Sequence, residues 1–178
     1  MSTIEFRRAT LADVGDIVAL VESAYRGEAS KAGWTTEADL LAGQRTDAGA
    51  VTAIIESPGA RFVLAVDAER GETLGCCHLE RRDKTLAYFG MFAVRPGSQG
   101  GGVGKLLLAE AERQAHDEWG VTTMEMTVIA QREVLISWYV RHGYAPTGET
   151  RPFPYGDERF GRPLRDDLRF AVLAKRFG

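Results

Sequence analysis

Leu86-Ala87-Tyr88-Phe89-Gly90-Met91-Phe92-Ala93-Val94, then Arg95-Pro96-Gly97-Ser98-Gln99-Gly100-Gly101-Gly102-Val103-Gly104-Lys105 and Leu106-Leu107-Leu108, is the stretch that decides the fold. Its first nine residues are apolar or aromatic and carry no charge, which reads as a strand buried on both faces near the centre of a sheet. Pro96 cannot continue such a strand. Four glycines within the five positions Gly100 to Gly104 then precede an apolar helical run; they permit positive φ and close approach of another group to the backbone. The first amides of that helix lack partners and point outward, so strand, glycine loop and helix start together form an anion cradle.

Two phosphate-binding patterns fail on this loop. A P-loop needs G-x-x-x-x-G-K-[ST], but Gln99 stands at its first glycine and Leu106 at its hydroxyl position. The dinucleotide fingerprint G-x-G-x-x-G, counted from Gly100 and Gly102, meets Lys105 at its third glycine.

Outward from this centre the chain reads as a single α/β domain, residues 1–178. The composition, 44% hydrophobic and 26% charged over 178 residues, suffices for one sizeable core. A net charge of −3 leaves no basic footprint for nucleic acid. No apolar run is long enough for a membrane span or signal peptide. Cys76 and Cys77, the only cysteines, are adjacent; on a strand they point to opposite faces and cannot bridge, so a reduced, cytoplasmic setting is expected.

Ile4–Arg8 reads as a first strand, and Thr10-Leu11-Ala12-Asp13 as a capping box opening a helix with Ile17, Leu20, Val21 and Ala24 on one face. Further helices are expected from Thr36 to about Arg45 and from Val51 to Glu56. Arg61–Asp67 and Thr73–Arg81 form a hairpin leading into the central strand. After the helix that follows the glycine loop, closed by Gly120, a strand is expected over Val121–Ile129. A helix over Glu133–Arg141 comes next, then strands near Tyr144–Glu149 and Leu168–Lys175. The long connection from Thr150 to Asp167 suits a lid or binding loop.

Gln99-Gly100-Gly101-Gly102-Val103-Gly104 resembles the acetyl-CoA signature [Q/R]-x-x-G-x-[G/A] of the GNAT superfamily of N-acetyltransferases, and Val94-Arg95-Pro96 stands where that family has V-x-P. Downstream, Trp138-Tyr139-Val140-Arg141-His142-Gly143-Tyr144 looks like its L-Y-x-x-x-G-[F/Y] element. The resemblance spans Leu86 to Tyr144. It implies a mixed, mostly antiparallel sheet flanked by helices, whose central strand splays from its neighbour at the cofactor site.

It further implies acetyl-CoA as co-substrate, no metal, and transfer of acetyl to a primary amine of a small molecule or peptide by direct attack through a tetrahedral intermediate. The main chain at Phe92, Ala93 and Val94 would meet the pantetheine, like a strand added to an edge, and the segment Gln99, Gly100, Gly101, Gly102, Val103, Gly104 and Lys105 would hold the pyrophosphate. Tyr139 aligns with the family tyrosine that protonates the departing thiolate. A phenol near 10 against a thiol near 8.5 makes full transfer uphill by roughly 2 kcal/mol, so hydrogen-bond donation is its main expected role.

One position departs from the pattern. Where many members carry an asparagine, seven residues before the tyrosine, this chain has Arg132; it shares a helix face with Tyr139 and is open to a phosphate, an acidic acceptor or solvent. Glu80, Glu125 and His78 on strands flanking the central one are candidates for a general base, none favoured singly. Tyr25, Trp34, Phe153, Tyr155 and Phe160 lie in the connections from which this family selects its acceptor, and equally suit packing or a homodimer contact. A non-catalytic acyl-CoA-binding sensor or interaction module is the second reading.

Overall fold

The computed structural model describes residues 3–25, 40–42, 45–96, 102–157 and 161–177. Nine strands are assigned among them: β1 (Ile4–Arg8), β2 (Leu41–Ala42), β3 (Ala60–Asp67), β4 (Thr73–Arg81), β5 (Leu86–Val94), β6 (Thr123–Ile129), β7 (Ala145–Pro152), β8 (Arg162–Pro163) and β9 (Arg169–Arg176). Four α-helices accompany them: α1 (Val14–Tyr25), α2 (Ala48–Glu56), α3 (Val103–Trp119) and α4 (Glu133–Arg141). Seven strands form one open sheet in the order β1-β3-β4-β5-β6-β9-β7, with β2 and β8 paired apart from it. The apolar Leu86–Val94 run is the fourth strand of the seven, which explains its lack of charge: it is covered on both faces.

Each face has its own core. Val63, Cys77, Leu79, Phe89 and Phe92 pack under α3 and α4, whereas Phe62, Leu64, Cys76 and Ala93 pack under α1 and α2. The adjacent cysteines are buried free thiols on these opposite faces. Burial pushes the Cys76 thiol up to about 12 and raises Cys77 as well, so both act as small apolar side chains.

Several boundaries differ from the sequence expectation, each for a physical reason. Leu41 and Ala42, expected within a helix, pair antiparallel with Pro163 and Arg162. Leu41 is buried with Ile129, Phe153 and Leu168, so long-range pairing overrides local helix propensity. Residues 36–39 of the same expected helix lie outside the described residues. Helix α2 begins three residues earlier than its apolar pattern suggests, because Asp47 caps it by accepting from the Ala50 amide at 2.8 Å. Strand β7 runs on to Pro152, and its register against β9 breaks between Pro146 and Thr150, which hid its length from a period-two reading.

The start of α1 is tied to the sheet through one carboxylate. Asp13 takes both Arg7 guanidinium nitrogens at 2.8 Å and the Thr10 amide at 2.8 Å. The Arg7 hydrogen bond, helped by Thr10 and opposed by burial, lowers the Asp13 pKa from 3.8 to about 2. Because the folded value is the lower one, the stabilisation is complete above the unfolded value near 3.9 and drains away as pH falls through about 2. With solvent screening at the half-exposed Arg7, this amounts to about 1–2 kcal/mol. Asp13→Asn is expected to lower urea-unfolding stability by that amount at pH 7 and to show a shallower loss than wild type between pH 4 and 2. Parallel losses in the two proteins over that window would refute the assignment.

Candidate active site

The site begins where β5 and β6 part. They are the one parallel pair in the sheet, and their ladder runs only from Leu86↔Thr123 to Tyr88↔Glu125. From Phe89 onward the β5 edge facing β6 borders a gap, leaving main-chain groups that the ladder does not use.

On its other side, β5 stays paired with β4 but carries one extra residue. Cys76 faces Ala93 and His78 faces Gly90, so three steps on β5 match two on β4, which is a β-bulge. Met91 in this bulge has φ +42, an uncommon state for an unbranched side chain and a costly one. The bulge also resets the facing of the strand: Phe89 and Phe92, three apart, both lie in the core under α3 and α4 with ring centroids 5.4 Å apart. The Tyr25 hydroxyl donates to the Phe92 carbonyl, and the Cys76 thiol reaches the Met91 carbonyl at 3.7 Å. Two side chains from the opposite core thus hold the bulge in place.

A cavity of about 350 Å³ occupies the gap. Phe89, Leu135 and Tyr139 of its lining belong to the core under α3 and α4, while Tyr25 belongs to the core under α1 and α2. The cavity therefore runs through the sheet, with one helix layer on each side.

Tyr139 lines it from α4 and is 3% exposed. Phe89, Phe92, Trp138 and Tyr144 surround its ring at 5.3 to 6.3 Å. Its hydroxyl has no hydrogen-bond partner among the described residues. Burial raises its pKa well above 10, with Tyr25 adding to the rise and Arg132 opposing it, so the hydroxyl keeps its proton throughout the physiological range.

Arg132, at the start of α4, is 8% exposed rather than solvated, and its guanidinium lies 5.3 Å from the Tyr25 ring centroid. His78 also lines the cavity, with Nε2 buried 3.5 Å from Glu80 Oε1 and without a hydrogen bond among the described residues. Burial lowers the His78 pKa, the nearby Arg82 and Arg45 lower it further and Glu80 raises it back; the net result is a neutral imidazole at pH 7.

Tyr25 and Phe153 face this cavity. Tyr155 stands outside its lining: it donates to the Arg165 carbonyl and accepts from the Leu168 amide. Glu125 also stands outside, 3.3 Å from Arg151. Trp34, Phe160, Gln99, Gly100 and Gly101 lie outside the described residues. Arg45, Arg82 and Tyr88 line the cavity yet carry no sequence signal, because each becomes a neighbour of the others only through the sheet.

The helix end of the cradle is described from Gly102, the N-cap of α3, with φ +78. No acidic residue stands in the first turn of α3, and Gly104 is buried there. An unopposed helix start of this kind suits a diphosphate. Ala93 and Val94, leading to it, are buried. Among the described residues no set of three His, Cys, Asp or Glu could hold a metal ion, and no helix is long and apolar enough to cross a membrane.

The acetyltransferase (GNAT) domain model matches residues 58–146, half of the chain. The chain belongs to the GNAT acetyltransferase family. It is an N-acetyltransferase in that family's sense, and acetyl-CoA as co-substrate follows from membership. No curated protein matches it by sequence.

Solved structures share its fold at low identity. The ribosomal-protein-S18-alanine N-acetyltransferase from Escherichia coli superposes with a TM-score of 0.72 at 14% identity, over 99% of this chain and 95% of that one. A GNAT-family acetyltransferase from Staphylococcus aureus gives 0.67 at 14%, over 99% and 100%. The spermidine/spermine N-acetyltransferase from Vibrio cholerae gives 0.67 at 13%, over 97% and 92%.

Proposed function

We propose that this acetyltransferase moves the acetyl group of acetyl-CoA to a primary amine of a small molecule or peptide by direct attack, with residues 1–178 acting as one catalytic domain. The observation that carries this is the cavity through the β5–β6 gap, open to both helix layers. The thioester enters from the α3 and α4 side, its pantetheine along the β5 edge at Phe92–Val94 and its diphosphate at the start of α3 around Gly102–Lys105. The amine enters from the α1 and α2 side, past Tyr25 and Phe153.

Within the cavity the amine nitrogen bonds to the acetyl carbon, the carbon–sulfur bond breaks through a tetrahedral intermediate, and the thiolate leaves with the Tyr139 hydroxyl as its hydrogen-bond donor. The proton lost by nitrogen needs an acceptor. Among the described lining side chains His78 offers a neutral imidazole at pH 7, and Glu80 beside it favours the imidazolium that would result. Proteins of this fold acetylate amines as unlike as spermidine and a ribosomal-protein alanine, so the fold alone does not choose the acceptor.

Thermal melts with acetyl-CoA, CoA, ATP and NAD test the cofactor assignment. At about 100 times Kd a ligand adds roughly 2.7 kcal/mol, which for a domain of this size raises Tm by about 5–10 °C. That rise is expected with acetyl-CoA and CoA only. A rise with ATP or NAD instead, or none at all, would remove the reading of the α3 start as the diphosphate site.

A further inference from the structure

One aromatic ring stands where the cavity meets the end of the β5–β6 ladder. That ladder stops at Tyr88↔Glu125, and beyond the pair the Tyr88 ring reaches across the gap until its hydroxyl stands 3.3 Å from that of Thr127 on β6. Both residues line the cavity. Their face follows from register. Tyr88 opposes Glu80, Gly90 opposes His78 and His78 opposes Phe62, and opposed residues share a face, here that of the core under α1 and α2 to which Phe62 belongs. Thr127 joins them, since its neighbours Met126 and Val128 lie in the core on the other face.

Three neighbours fix the ring. Gly90 lets it lie against its own strand: a Cβ there would stand 2.6 Å from Tyr88 Cε1 and 2.9 Å from its hydroxyl oxygen, too close for either to stay in place. The Arg82 guanidinium covers the ring 4.5 Å from its centroid and is itself held by Glu80 at 2.7 Å. The His78 ring meets it edge-on at 5.6 Å and 66°. Placed in this way the ring is a wall, and it takes up the first stretch of the gap that the parting of β5 and β6 creates.

Resting on the reading above, we propose that Tyr88 determines which acceptors fit: its ring is the end wall of the acceptor half and restricts the site to compact amines. The whole cavity, about 350 Å³, lies at the low end of small-molecule pockets and also has to admit the thioester. The length left along β5 and β6 therefore decides what enters. The ring acts by clashing with a longer chain rather than by added attraction to a short one. Taking it away joins the space beside Thr127 to the cavity, and a longer chain then has a place to lie.

The test uses S-butyl-CoA and S-decyl-CoA, thioethers that enter by the cofactor route and carry an inert chain toward the acceptor side, and takes the ratio of their Kd values by calorimetry. Wild type is expected to bind the butyl compound at least tenfold tighter than the decyl one. Tyr88→Ala is expected to narrow that preference at least tenfold, and Tyr88→Phe, which keeps the ring, to show the wild-type ratio. Gly90→Ala carries the same test with the ring retained: its Cβ pushes the ring from its place, and the preference is expected to fall toward that of Tyr88→Ala. A general loss of stability weakens both compounds alike and leaves the ratio unmoved. No preference in wild type that binds CoA, an unchanged ratio in Tyr88→Ala or in Gly90→Ala, or a Tyr88→Phe ratio equal to that of Tyr88→Ala would overturn the proposal while leaving the cofactor assignment intact. Failure of wild type to bind CoA itself would remove both.

Discussion

Tyr139→Phe is expected to lower kcat by about 10- to 1,000-fold while leaving Tm and the KM for acetyl-CoA nearly unchanged. The substitution removes a single oxygen. The phenyl ring keeps its contacts with Phe89, Phe92, Trp138 and Tyr144, and the hydroxyl gives up no protein partner among the described residues. Its loss therefore costs the fold well under 1 kcal/mol. The hydroxyl keeps its proton well past pH 10 because burial disfavours the phenolate. It therefore acts as a donor, and wild-type kcat is expected to show no falling limb from this group below pH 10. Equal kcat in the variant and wild type would take Tyr139 out of the chemistry and leave it as a core tyrosine.

The residues that built this expectation were legible to different degrees. The central strand Leu86–Val94 and the helix Glu133–Arg141 appear where the apolar pattern put them, because both are buried by tertiary contacts that their composition already anticipates. The hairpin β3–β4 was equally plain, since two β-branched runs flank a polar turn. The bulge was not. Nothing in Phe89-Gly90-Met91-Phe92 signals that Met91 takes φ +42 or that two phenylalanines three apart share a face; a period-two reading puts them on opposite ones. The bulge arises where β4 keeps its pairing with β5 while β6 withdraws, a property of three strands together.

The acceptor wall was hidden for a similar reason. Arg45, Arg82 and Arg132 lie far apart in the chain, and single arginines in loops or near helix starts are usually solvated. Their convergence on one cavity depends on α1, α2 and α4 meeting around the β5–β6 gap. Tyr25 and Arg132 stood out as candidates in sequence, but their contact joins the two helix layers, and no local pattern encodes it. Leu41–Ala42 pairing with Arg162–Pro163 belongs to the same class: a two-residue strand has no periodicity to read.

The bulge also explains the largest stability effect expected at the site, from Phe92→Ala. The Phe92 ring sits where β5, α3 and α4 meet. It stacks on Trp138 at 5.5 Å and 25°, contacts Phe89 and Tyr139 at 5.4 and 6.2 Å, and lies so close to α3 that a Cβ on Gly104 would stand 3.0 Å from its Cζ. Removing it leaves a cavity that rigid neighbours on a sheet and two helices cannot readily fill, at a cost of about 3–5 kcal/mol, or about 10 °C or more in Tm for a chain of this size. Phe92→Leu, which refills most of the volume, is expected to recover at least half of that. The backbone separates this role from ligand binding. The Tyr25 hydroxyl bonds the Phe92 carbonyl, and the proposed pantetheine contacts use main-chain groups, which alanine retains. Acetyl-CoA is therefore expected to raise Tm of Phe92→Ala by about as much as it does wild type, from a lower starting point. A fall in Tm below 2 °C would mean that the ring is not a packing centre. A normal fall with no acetyl-CoA response would mean that the side chain, and not the strand edge, carries the cofactor.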